Sequence, residues 1–142
     1  MQIEIKYKSI EARRFILIKG PINISNNSTV TSVEKGEGNL TMNFIFTSNY
    51  EPSAGLVKIE GVLLLSDSEE KIKVTLEEWE NSDRKNLPRD VAEKVHNTIL
   101  ANCIVEATIL SKEVQLPAPF PTPRVSLKEK GKREDVKVDY IR

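Results

Sequence analysis

Residues Leu87 through Val125 read LPRDVAEKVHNTILANCIVEATILSKEVQLPAPFPTPRV. An apolar helix here runs straight into Leu116-Pro117-Ala118-Pro119-Phe120-Pro121-Thr122-Pro123, which holds four of the chain's seven prolines. The spacing places the helix at Pro88 to Val114. Pro88 suits a first helical position, Asp90 and Glu93 meet the positive end of the dipole, and Lys112 lies near the negative end. Val95, Ile99, Cys103, Ala107, Leu110 and Val114 form one stripe by steps of three and four, while Leu100, Ile104 and Ile109 lie off it. A helix that is apolar on two faces needs a second covering surface. At 1.5 Å per residue it would run roughly 40 Å, longer than one small sheet covers. A second copy of the chain is the expected cover for the remainder.

Upstream, the period changes from helix to strand. Ile3, Ile5 and Tyr7 alternate with polar neighbours from Gln2 to Lys8, and Leu40, Met42, Phe44 and Phe46 repeat every second residue between Gly38 and Ser48. Each is a half-buried strand. Residues 49 to 55 turn the chain into a further strand, Leu56 to Leu65, and Ser66-Asp67-Ser68-Glu69 reads as a tight return into another, Glu70 to Trp79. Short returns force antiparallel neighbours. Ile22 and Ile24 suggest a short edge strand that Thr29 to Val33 could extend, and Ser9 to Ile18 is left between an extended segment and a short helix. The expected fold class is α+β: an antiparallel sheet of about four strands, meander or Greek key, packed beside one long C-terminal helix. The domain is expected to span residues 1 to 125. Residues 126 to 142 form a charged tail, flexible in its first half, whose Val136, Val138 and Tyr140 alternate and could end as an edge strand.

The chain of 142 residues carries 21 Lys plus Arg and 21 Asp plus Glu, so no net field draws it to nucleic acid or an anionic membrane. No apolar run approaches the ~20 residues of a membrane helix, so no membrane insertion is expected. One cysteine closes no internal disulfide and no secretory leader is legible, which makes the cytoplasm the expected compartment.

Reaction chemistry is missing from the pattern. His96 and Cys103, the sole members of their kinds, sit seven residues apart on the helix, roughly 10 Å along its axis and too far for a nucleophile–base pair. Cys103 reads as a small buried apolar residue and His96 as a surface one. No zinc spacing is present, so no metal or cofactor is expected. Glu77-Glu78 with Glu80 reads as a solvated face, and Gly36-Glu37-Gly38 and Gly55 as turns rather than a phosphate cradle. Phe15 and Trp79 read as core. The proline segment stops the helix and lies over its own domain, or else offers a polyproline surface to a groove elsewhere.

The order of elements resembles the SecB-type protein-export chaperones and the SecB-like proteins of archaea. The likeness lies in Gln2-Ile3-Glu4-Ile5-Lys6-Tyr7-Lys8, the strand meander, and Glu106-Ala107-Thr108-Ile109-Leu110-Ser111 leading to Gln115-Leu116-Pro117-Ala118-Pro119. The resemblance implies dimers or tetramers joined by long helices, which bind unfolded chains in apolar grooves without hydrolysing nucleotide. It puts Val95, Ile99, Leu100, Cys103, Ile104 and Ala107 in helix-mediated layers between protomers, and makes Trp79, Leu110, Val114, Leu116 and Phe120 candidates to line a client groove. The chain departs from that family where a second helix and a metal-binding tail would follow the prolines.

Two functions are therefore expected in competition. One is an ATP-independent holdase for unfolded or preprotein chains; the other is an adaptor or antitoxin-partner module with one dedicated folded partner. An enzyme is not expected.

Overall fold

Alternation of apolar and polar residues builds four long antiparallel strands: β1 (Gln2–Arg14), β2 (Asn23–Lys35), β3 (Asn39–Glu51) and β4 (Gly55–Ser66). In the computed structural model, residues 1–119 are described in full, together with the backbone of 122–127 and 136–141. The strands lie in the order β1-β4-β3-β2, so β1 and β2 are the two edges. Each edge strand slips its register once, at Lys8 in β1 and at Thr31 in β2.

One face of this sheet is the core. Leu40, Met42, Phe44 and Phe46 of β3 stand opposite Leu65, Leu63, Gly61 and Ile59 of β4, and apart from Gly61 these side chains are buried. A side chain at Gly61 would meet the Phe44 ring at 2.7 Å and the Lys6 carbonyl more closely still. Two helices cover this face: α1 (Glu69–Asn81) and α2 (Arg89–Glu113). α1 lies against β2, and α2 crosses all four strands. The fold is thus α+β, four antiparallel strands with a long helix across one face.

Glu70 to Trp79, expected as the last strand of the meander, is helix α1 instead. Ser68 caps it, its hydroxyl accepting from the Lys71 N–H at 3.3 Å, and Glu69 and Glu70 occupy the first turn. Ile72, Thr75 and Trp79 face inward at helical spacing, whereas Val74 is exposed. The fourth strand is β2, far longer than the short edge expected at Ile22 and Ile24. Ser9 to Arg14 continues β1 rather than turning into a helix. α2 begins at Arg89, with Pro88 at its N-cap and not inside the first turn.

After α2 the chain crosses the end of the sheet as a strap. Leu116 lies against Gly55, the Tyr50 hydroxyl donates to the Pro117 carbonyl at 2.7 Å, and Asn26 donates to the Pro119 carbonyl at 2.6 Å. Beyond it, β5 (Thr122–Leu127) and β6 (Val136–Ile141) pair with each other in a two-stranded sheet of their own. Of the tail expected to be flexible in its first half, Ser126 and Leu127 close β5, and residues 128–135 lie outside the described residues.

Candidate functional site

The strap, the end of β1 and the chain leading into β2 frame an apolar end of the molecule. Phe15, Ile16 and Leu17 follow β1 and are 53, 50 and 67% exposed. Phe15, expected in the core, is therefore a surface residue. Its backbone is held by an N–H bond to the Ala54 carbonyl at 2.9 Å, so the side chain stands out from an anchored chain. On one side of this run Ile16, Leu17, Ile18, Pro21, Ile22 and Pro52 line a hollow of about 470 Å³. On the other, a more polar hollow of about 530 Å³ is lined by Arg13, Arg14, Phe15, Glu113, Val114 and Gln115, and there Arg14 Nε donates to the Val114 carbonyl at 3.1 Å.

A second region lies along β2. Trp79 walls two adjoining clefts, one of about 250 Å³ with Val30, Lys85 and Leu87 on its lining, the other of about 220 Å³ with Val33 and Arg84. At the inner wall of the first cleft, Ser28 Oγ and His96 Nδ1 are 2.7 Å apart. His96 is thus a half-buried residue that ties α2 to β2, not the free surface residue expected. Burial lowers its pKa below 6.5.

The expected site residues divide by exposure. Val95, Ile99, Cys103 and Ala107 have no accessible surface in the single chain. They pack the protomer's own core. Leu100 and Ile104 are half-buried and keep surface to offer, and the outermost apolar residues of α2 are Val105 and Ile109, 58 and 54% exposed. Among the groove candidates, Trp79 and Leu116 are buried, Trp79 reaching the surface only as a wall of the two clefts beside β2; Leu110 and Val114 are half-buried. Phe120 lies outside the described residues. Sequence reasoning missed Phe15, Ile16 and Leu17 as a functional group. The available signal was four consecutive large apolar residues, Phe15 to Ile18, just ahead of the Gly20-Pro21 turn.

The site holds little that could do acid–base work. Burial pushes the Cys103 thiol up to about 12, with Glu106 adding to the effect, so the sulfur stays protonated. Burial likewise pushes the Tyr50 phenol up to about 12, against a smaller lowering by Ser111. Among the described residues no group of three His, Cys, Asp or Glu could hold a metal ion, and no helix is long and apolar enough to cross a membrane.

This arrangement of four antiparallel strands under a long helix is a SecB-like fold. A solved structure similar to it is a SecB-like chaperone of Mycobacterium tuberculosis in complex with a ChAD peptide from the HigA1 antitoxin. The two share 11% sequence identity over 82% of this chain and 84% of the other, with a TM-score of 0.56, a likeness of fold. No family model matches the sequence, and no curated protein does.

Proposed function

We propose that the chain is a cytoplasmic, ATP-independent chaperone that holds extended apolar segments of unfolded or preprotein chains and works as an oligomer. The observation that carries this reading is the exposed run Phe15-Ile16-Leu17 between two hollows. The exposed parts of large apolar side chains add nothing to the protomer's own packing, and a contiguous exposed group of them marks an interaction surface. Covering it gains about 25 cal/mol per Å² of apolar area, enough to hold a client without specific chemistry. Val114 shares a hollow with Phe15 and, with Leu110 and Phe120, remains a groove candidate. The peptide complex formed by the similar fold supports the same reading.

Self-association has two candidate surfaces. Leu100, Ile104, Val105 and Ile109 give α2 an outward apolar ridge. The β1 edge adds a charge pattern that matches itself: in an antiparallel pair of β1 strands centred between Lys8 and Ser9, Glu4 faces Arg13 and Lys6 faces Glu11. Opposite charges across such a pair favour it.

Light scattering from an aggregating client tests the reading. Suppression at stoichiometric oligomer is expected, and its absence would rule the holdase out. A second reading, an adaptor for one folded partner, is favoured by the antitoxin peptide bound to the similar fold. Capture of a single folded partner, with no affinity for denatured clients, would establish that reading instead.

A further inference from the structure

We infer that the outer margin of β2, from Ser28 to Val33, receives an extended peptide as an added strand, and that the peptide carries an apolar side chain followed by an acidic one. This rests on the peptide-holding reading above and names a second contact surface with its own chemistry.

The two edges of the sheet are built differently. β1 bears Glu4, Lys6, Lys8, Glu11, Arg13 and Arg14, and charges along an edge discourage foreign strands. β2 has no charged residue and no proline from Asn23 through Val33. It pairs with β3 alone, and among the described residues no turn or loop backbone bonds to its backbone. An uncharged, unpaired edge is a template for main-chain pairing.

The margin also has places for side chains. The two clefts that share Trp79 lie one after the other beside Ser28–Val30 and Thr31–Glu34. An added strand sends alternate residues to the helix side, about 7 Å apart. Successive residues of that set would enter the clefts, one between Val30 and Leu87 and the next beside Val33, with Trp79 on the wall of both. Lys85 is the one Lys, Arg, Asp or Glu on the first cleft's lining. It calls for a carboxylate next to the apolar side chain. The strap sets where the peptide starts, because the Pro119 carbonyl already occupies Asn26. A second copy fits less well: its own residues 28–33 are Ser, Thr, Val, Thr, Ser and Val, and offer Lys85 no acid.

Trp79 is the only tryptophan in the chain, so its fluorescence reports on both clefts. The probe is a ten-residue peptide, acetylated and amidated, alternating serine and valine with one phenylalanine followed by aspartate. A saturable change in Trp79 emission is expected. A version N-methylated on alternate amides should bind about tenfold more weakly, the loss from one or two net hydrogen bonds. Lys85→Glu, on an exposed side chain, should weaken the aspartate peptide about tenfold and favour a lysine counterpart, the swing expected of a charge pair partly shielded from water. Equal binding of the methylated peptide, or indifference to Lys85→Glu, would overturn the inference. If the intact protein still suppresses client aggregation in that case, the chaperone reading stands and the β2 margin alone is lost. If it holds neither peptide nor denatured client, both fall.

Discussion

Gly61 stands where β4 meets β1 and the Phe44 ring packs down on the backbone. A Cβ there would sit 2.7 Å from that ring. Gly61→Val should destabilise the fold by about 1–3 kcal/mol through overpacking, read as a lower urea midpoint at unchanged slope. Tyr50 and Cys103 set an alkaline limit. Both are held neutral by burial, with pKa values of about 12 against ordinary values of 10.0 and 9.0. The unfolded chain releases these protons first, so the stability they confer is present below pH 9 and is lost as pH rises from about 9 through 12. Melting temperature measured across that range should fall steadily, and Cys103→Ala should delay the onset. Individual residues were the least legible scale. Phe15 reads as core because apolar residues usually are buried, and a surface kept apolar for binding breaks that rule. His96 reads as exposed because its partner, Ser28, lies 68 residues away.

Elements were legible where hydrophobic period and end signals agreed. Pro88, Asp90 and the proline run bracket α2 to within a residue of Arg89–Glu113, β3 alternates cleanly, and β4 reads as a strand partly apolar on both faces between two turns. β2 escaped because its inward side is partly polar: Asn26 donates to Pro119 and accepts from Ser48, and Ser28 meets His96, so hydrogen bonds stand in for apolar side chains. α1 was misread because Ile72, Val74 and Leu76 alternate like a strand. Its true inward stripe includes Thr75, whose hydroxyl bonds the Lys71 carbonyl at 2.7 Å and so buries without looking apolar. Ser68→Ala should cost about 1 kcal/mol in chemical denaturation, the usual effect of losing an N-cap. The β1 edge carries a prediction of its own. Glu4→Arg should weaken self-association, and Glu4→Arg with Arg13→Glu should restore it, as followed by sedimentation at low salt, where surface charges are least screened.

At the scale of the whole molecule, the architecture follows from one arithmetic fact: a helix of this length cannot be hidden by one sheet on all sides. The structure resolves this by burying the face that runs from Val91 to Ser111 and leaving Val105 and Ile109 outside. Binding is separable from that scaffold. Leu17→Asp should abolish suppression of client aggregation while leaving the melting temperature within a degree or two, because Leu17 is two-thirds exposed and contributes little to the core. A large drop in melting temperature would instead make the run part of the protomer's own packing.

The same long helix is fastened at both margins, to Ser28 of β2 through His96 and to Arg14 of β1 through the Val114 carbonyl. It works as a rigid lever about 37 Å long laid across the sheet. If the helix tilts as one body, a displacement at one fastening reaches the other, and thermodynamic reciprocity then makes that traffic two-way. A ligand that tightens pairing along β1 must be gripped more tightly, by an equal factor, once the pair has formed. Occupancy and assembly would then rise together with protein concentration.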